Sequence, residues 1–228
     1  MDISKRLIAI AEKVDKCKTV LDIGTDHGYI PIYLIKNNIC NNVIASDINK
    51  GPLKKAEENI KLNNIDGIEL RLGSGFNVVK QGEADTVVLA GMGGHLIKDL
   101  ILEREDIFKK LEYAVLQPVQ NPDVLRKFII NRGYTILNED LVFDESIFYE
   151  IIKVRYNEKK REEAKIYYEI GRKLLEDKNP RLHDFLMYKI SKYRKILKYI
   201  KEDTKTASAR KKDVNEKIIE IEKLLSDL

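Results

Sequence analysis

Two cysteines and three histidines in 228 residues leave little for metal or disulfide chemistry. Cys17 and Cys40 lack the paired spacing of a zinc site, and two thiols are too few for a disulfide framework, so both are expected to be reduced. His27, His95 and His183 are scattered without ligand spacing, and no metal is expected. No apolar run approaches the roughly 20 residues that cross a bilayer. The opening Met1-Asp2-Ile3-Ser4-Lys5-Arg6 lacks the apolar segment of a secretory signal, so a cytoplasmic protein with no membrane partner is expected. The chain also lacks Gly-x-Gly-x-x-Gly, which argues against a dinucleotide pyrophosphate and hence against a nicotinamide oxidoreductase.

What is present describes a globular chain: 43% hydrophobic and 34% charged, with a net charge of +4. The charge is uneven. Residues 157–228 hold 20 basic against 14 acidic side chains, leaving 21 against 23 in the first 156. One good core and a smaller second unit fit this length, and the composition shift divides it into domains 1–156 and 157–228. A basic helical half suggests a polyanionic partner, although basic helices are also commonly just solvated.

The stretch Thr19-Val20-Leu21-Asp22-Ile23-Gly24-Thr25-Asp26-His27-Gly28-Tyr29 reads as a strand, a tight turn and a helix entrance. Gly24 lets the backbone approach a ligand, and Gly28 lets the helix lie close to the strand. Such a turn can also simply join a strand to a helix. Val43-Ile44-Ala45-Ser46-Asp47 reads as a second buried strand, and its terminal acid stands about 20 residues beyond the glycines, where doubly wound folds hold a ribose. The alternative for Asp47 is a helix cap ahead of Pro52. With no pyrophosphate signature, an adenosyl ligand without phosphates fits, and S-adenosyl-L-methionine is the common one.

Further elements follow the same logic. Helical spacing is expected over Ile3–Val14, Tyr29–Lys36, Pro52–Asn63 and Leu96–Arg104. Ile68–Leu72 should be a strand entering Gly73-Ser74-Gly75-Phe76, and Thr86–Ala90 a buried central strand entering Gly91-Met92-Gly93-Gly94-His95. Tyr113–Leu116 should end in the loop Gln117–Pro122, with Asp123 capping a helix to Asn131. Tyr134–Val142 and Ser146–Val154 are too close for a helical crossover and should pair antiparallel. The expected fold is α/β: a mostly parallel Rossmann-like sheet with a reversed edge strand, the architecture of class I methyltransferases. Beyond it, one helix is expected over Glu158–Lys178. Leu186, Ile190, Tyr193, Leu197 and Ile200 form a coiled-coil-like seam, and Val214, Ile218, Ile221, Leu225 and Leu228 form another.

The segments Asp22–Pro31, Ala90-Gly91-Met92-Gly93-Gly94 and Gln117-Pro118, together with the coiled-coil tail, resemble the bacterial tRNA adenine-22 N1-methyltransferase family over nearly the whole chain. The resemblance implies methyl transfer from S-adenosyl-L-methionine to N1 of adenine 22 in tRNA. It implies a cofactor site of Asp22, Gly24, Gly28, Asp47, Ile48, Ser74, Gly75, Ala90 and Gly91. It places Asp26, His27, Met92, Gly93 and Gln117 at the target base, in catalytic roles. Ser74 departs from the Asp that many members carry there.

The residues agree with that chemistry. Adenine N1 has an in-plane lone pair and needs no strong base, and neither cysteine lies in the proposed loops to act as a nucleophile. Ala90-Gly91-Met92-Gly93-Gly94 stands where amino-directed enzymes carry Asn/Asp-Pro-Pro-aromatic. On the tail, Tyr188, Lys192, Lys195 and Tyr199 share a strip that alternates cations with aromatic faces, as an RNA-binding face would; a solvated face is the alternative. Competing readings are a methyltransferase for another RNA position, a protein or a small molecule, and a non-catalytic RNA-binding protein. A monomer is favoured.

Overall fold

The computed structural model describes residues 3–201 and 204–228. The chain divides into two compact units, Met1–Glu162 and Glu163–Leu228. Arg161 still belongs to the first, its N–H donating to the Ile130 carbonyl.

The first unit is a seven-stranded sheet in the order β3-β2-β1-β4-β5-β7-β6. Its strands are β1 Cys17–Ile23, β2 Cys40–Asp47, β3 Ile68–Leu72, β4 Thr86–Gly93, β5 Tyr113–Gln120, β6 Tyr134–Asp144 and β7 Ile147–Tyr156. Its helices are α1 Lys5–Ala11, α2 Tyr29–Lys36, α3 Lys50–Leu62, α4 Gly94–Glu103, the short α5 Glu105–Phe108, and α6 Pro122–Arg132. Strands β1 to β5 are parallel, so their side chains must be covered on both faces. One core joins Ile10, Ala11 and Val14 around α1, Ile30 and Leu34 of α2, and Val20, Val43, Val88 and Val115 of the sheet. The alternate residues Leu21, Val87, Leu89 and Leu116 point the other way and are equally buried, on the side where α4 and α6 pack. Burying each such side chain contributes roughly 1.5–3 kcal/mol before chain entropy is charged. Helical crossovers carry the chain from β1 outward to β3; it then returns to β4 and steps the other way. The strand order therefore reverses between β1 and β4, where a crevice opens at the carboxyl ends.

The expected mixed sheet is present, with one difference in order. Reversed strand β7 lies between β5 and β6 instead of at the edge. The crossover through α6 leaves a strand-wide gap beside β5, and the tight turn at Glu145-Ser146 folds β7 back into it. The expected loop at 117–122 is mostly strand: β5 continues to Gln120, pairing irregularly with the end of β4. Asn121, in a left-handed conformation, caps α6 in place of Asp123, which sits in the first turn behind Pro122.

The second unit contains α7 Lys165–Ile170, α8 Arg172–Glu176, α9 Leu182–Tyr199 and α10 Lys205–Ser226. The single helix expected over Glu158–Lys178 is replaced by two short ones. Gly171 breaks it at φ 85 and ψ 112, outside helical space. Residues 158–164 are not helical; the Glu163 N–H donates instead to the Tyr168 hydroxyl and its carboxylate pairs with Arg172. The two long helices pack as expected through Leu186 and Ile190 of α9 and Val214, Ile218 and Ile221 of α10. The far ends of the expected seams, Ile200 and Leu228, lie beyond the helices.

Candidate functional site

β1 ends in a turn held by its own backbone. The N–H groups of Gly24 and Thr25 both donate to the Ser46 carbonyl at the end of β2, at 2.8 and 2.9 Å. Gly24 adopts φ 79, a conformation that favours glycine, and a Cβ there would have to displace the flexible Met92 methyl, 2.5 Å away. Gly28 caps α2 at φ 73, and its bare Cα lets the helix start lie against Ala56 of α3. Together these turns open a cleft of about 420 Å³ between the ends of β1 and β4, lined by Arg6, Asp22, Gly24, Asp26, His27, Ala90 and Gly91, with Leu7, Thr25, Tyr29 and Ile30 completing the wall. That volume suits a nucleoside-sized ligand.

Asp22 is the acid of the cleft. Burial pushes its carboxyl up to about 7, with Asp47 adding to the rise. Thr25 Oγ1 makes no ordinary hydrogen bond, yet its hydroxyl is near enough to temper that shift. A cation placed beside Asp22 would stabilise its charged form. Asp26 stands in a left-handed conformation with its carboxylate largely exposed, 3.5 Å from His27 Nε2. The His27 ring stacks on Tyr29 at 5.3 Å and 4°, and its carbonyl accepts from the Asn59 side chain.

On the β4 and β5 side, the buried Gln117 side chain reaches the cleft wall. Its Oε1 accepts from Arg6 Nη1 at 2.8 Å and from the Gly91 N–H at 3.2 Å. Two converging donors identify that atom as the oxygen, which leaves Nε2 a buried donor without a protein partner. Arg6 is held in turn: its N–H donates to Asp144 Oδ2 at 3.0 Å, and its guanidinium lies 5.2 Å over the Tyr149 ring.

Six expected residues thus share the cleft: Asp22, Gly24, Asp26, His27, Ala90 and Gly91. Met92 and Gln117 adjoin it through Gly24 and Gly91, while Gly93 is the N-cap of α4 with open space at its Cα. Asp47, Ile48, Ser74 and Gly75 stand beside it, at the ends of β2 and β3. The Asp47 carbonyl receives the Gly73 N–H, its Oδ1 receives the Asn49 N–H at 2.8 Å, and Ile48 is exposed. Ser74 precedes a 3-10 turn, Gly75–Val78, that begins at φ 52. The cap expected as the alternative for Asp47 is not formed: Asn49 is the N-cap of α3, without a side-chain cap bond, and Asp47 Oδ1 accepts the Asn49 N–H in the turn before the helix while the other oxygen is free of that bond. The sequence alone offers Arg6 as a basic residue that could flank the nucleotide mouth, with surface solvation as the plainer reading. Only partners 111 and 138 positions away reveal its place. Among the described residues no group of three His, Cys, Asp or Glu could hold a metal ion.

Residues 20–223 match the family model of tRNA (adenine(22)-N(1))-methyltransferase. The chain is similar to the Bacillus subtilis tRNA (adenine(22)-N(1))-methyltransferase, with 31% identity over 153 residues, 67% of this chain and 64% of that enzyme's length. It is 33% identical to a putative tRNA methyltransferase of Mycoplasma genitalium over 77% of this chain and 80% of the relative. Among solved structures it resembles a putative Streptococcus pneumoniae tRNA (m1A22) methyltransferase in complex with S-adenosyl-L-methionine. There the TM-score is 0.86 at 26% identity, covering 98% of this chain and all of that one. A Mycoplasma capricolum relative in complex with S-adenosyl-homocysteine gives a TM-score of 0.82 at 27% identity, covering 98% of both chains.

Proposed function

The chain belongs to the tRNA (adenine(22)-N(1))-methyltransferase family, and from that premise we propose that it methylates N1 of adenine 22 in tRNA, using S-adenosyl-L-methionine, as a cytoplasmic monomer. The observation that carries this reading is the cleft at the strand-order reversal, with a buried acid, two left-handed glycines and two unpartnered buried polar atoms on or beside its wall. These features suit the cofactor: Asp22 can face its ammonium, Gly24 and Gly91 can admit its chain, and Asp47 can receive its ribose hydroxyls. When bound, it supplies an electrophilic methyl group on sulfur.

The chain's own residues supply orientation. Gln117, anchored by Arg6 and Gly91, offers its free Nε2 to an acceptor on the target base. Asp26 stands at the open side, where it can accept from the adenine amino group and balance the positive charge of the product. His27 and Met92 flank that position. No residue is needed as a strong base, because N1 carries no proton. Alignment of N1 with the methyl can lower the barrier by as much as roughly 7–11 kcal/mol. The second unit, Glu163–Leu228, is assigned to gripping the RNA. The test is direct: tRNA lacking modifications, incubated with protein and S-adenosyl-L-methionine and digested to nucleosides, should yield 1-methyladenosine. The same tRNA with guanine at position 22 should yield none, and product from both would overturn the reading.

Asp47→Ala should weaken S-adenosyl-L-methionine binding by about 1.5–3 kcal/mol through loss of charge-assisted hydrogen bonds to the ribose. Asp47→Asn separates the two roles, because it keeps an oxygen for the Asn49 N–H while losing the charge. Calorimetry should show both variants impaired; full affinity in Asp47→Asn would leave Asp47 as a turn residue alone.

On α9, Lys192, Lys195 and Tyr199 are exposed and Tyr188 is half-buried, and neither lysine has an ion-pair partner among the described residues. That favours the RNA-facing strip. In the double variant Lys192→Ala and Lys195→Ala, the slope of log affinity for tRNA against log salt should become shallower by roughly 1.4–1.8. An unchanged slope would move the phosphate contacts elsewhere.

A further inference from the structure

We infer that the tip of the β6–β7 hairpin is a stacking surface for nucleotides next to the target adenine. The inference rests on the tRNA methylation reading above. Strand β6 runs with the parallel strands, so it ends at the carboxyl edge of the sheet, on the side where the cleft opens. Its turn consists of Glu145 and Ser146, both left-handed at φ 48 and 64, the two-residue geometry that matches the twist of a hairpin and holds it stiffly. Phe143 and Phe148 are directly paired across the strands with ring centroids 4.8 Å apart. Phe143 is 48% exposed and Ile147 is 43% exposed. A stiff tip that holds large apolar side chains in water marks an interaction surface.

Two observations identify the partner. The first is position: Asp144, next to Phe143, accepts the Arg6 N–H, and the same Arg6 bonds Gln117 and lines the cleft. The tip is therefore fastened to the cleft wall through one residue. The second is charge. The ionisable groups of the turn, Asp144 and Glu145, are both acidic, so a phosphate is disfavoured there and the uncharged face of a base is suited. Such stacking is tolerant of sequence because every base has a π-face. The chemistry supplies the need: N1 lies on the Watson–Crick edge, so the adenine must leave its pair and stack before reacting. Phe143 offers its former neighbours a replacement face.

The test uses the full chain with two RNAs: unmodified tRNA, and the same tRNA with an abasic unit in place of the nucleotide facing position 22. Phe143→Ala should lower kcat/KM on the first by roughly tenfold and on the second by less than about threefold, the latter having less pairing to undo. Phe143→Tyr should keep activity and Phe143→Leu should behave like alanine. Cofactor affinity and the salt slope of tRNA binding should stay at wild-type values, and loss of the Phe143–Phe148 pair should lower thermal stability only slightly. Equal losses on both RNAs, no loss on either, or full activity in Phe143→Leu would overturn the stacking role while leaving the methylation reading intact. If the wild-type chain methylates neither RNA, the activity reading fails and the inference falls with it.

Discussion

Arg126→Met should destabilise the first unit by about 3–5 kcal/mol, because the substitution leaves two carboxylates buried without their countercharge. Arg126 lies on α6 and is fully buried, its Nε 2.6 Å from Glu139 Oε1 on β6 and its Nη2 2.6 Å from Glu150 Oε2 on β7. Burial works against the guanidinium charge, and the two carboxylates more than restore it, holding its pKa above the ordinary value. The three groups clamp helix to hairpin, so urea unfolding followed by circular dichroism should show the loss as a lower midpoint. The triple variant Arg126→Met, Glu139→Leu and Glu150→Leu should recover most of it, since a well-packed apolar trio avoids desolvating three charges. A single variant as stable as wild type would mean that the triad is not energetically coupled.

The second large effect is expected in the helical unit. Glu169 of α7 is buried, and it receives Lys189 Nζ at 2.6 Å and the Tyr193 hydroxyl at 2.5 Å, with Lys217 Nζ at 3.3 Å. Burial alone would raise its carboxyl, but Lys189 first, then Tyr193 and Lys217, bring it to about 2. A folded pKa below the ordinary value of 4.5 means that this stabilisation is fully present above about pH 4.5 and is lost as pH falls toward 2. Glu169→Ala should cost about 3–5 kcal/mol by stranding buried Lys189. At roughly 0.05–0.15 kcal/mol per residue, the unit Glu163–Leu228 has about 3–10 kcal/mol in total, so this loss removes a large share of it. The variant should lose helical circular dichroism and tRNA affinity while the first unit still binds S-adenosyl-L-methionine. Retained helix content, or loss of cofactor binding in step, would contradict this.

The elements that the sequence made legible are those governed by local chemistry. Ile68–Leu72 and Tyr29–Lys36 fall where alternation and helical spacing place them. The Gly24 and Gly28 turn is equally local, since the left-handed backbone favours glycine at both and Ala56 crowds Gly28. What escaped turns on single residues or on distant partners. A helix over Glu158–Lys178 has suitable periodicity, yet Gly171 and the bonds of Glu163 to Tyr168 and Arg172 divide it. Glu169 resembles any acid of a solvated helix until lysines 20 and 48 positions away enclose it. Arg6 acquires its place only when β5 and β6 arrive.

The position of β7 inside the sheet also sets an order in time. During synthesis β5 is complete when Gln120 has been added, yet the strand that covers its outer edge ends at Tyr156. At about 5–20 residues per second, that interval lasts roughly 2–7 s. For those seconds the nascent chain presents a bare, apolar parallel strand, the kind of edge that pairs with other chains. The sheet is therefore complete only after its last strand is made, since edge strand β6 can join only through β7, and a ribosome stalled between these two positions would hold an aggregation-prone intermediate.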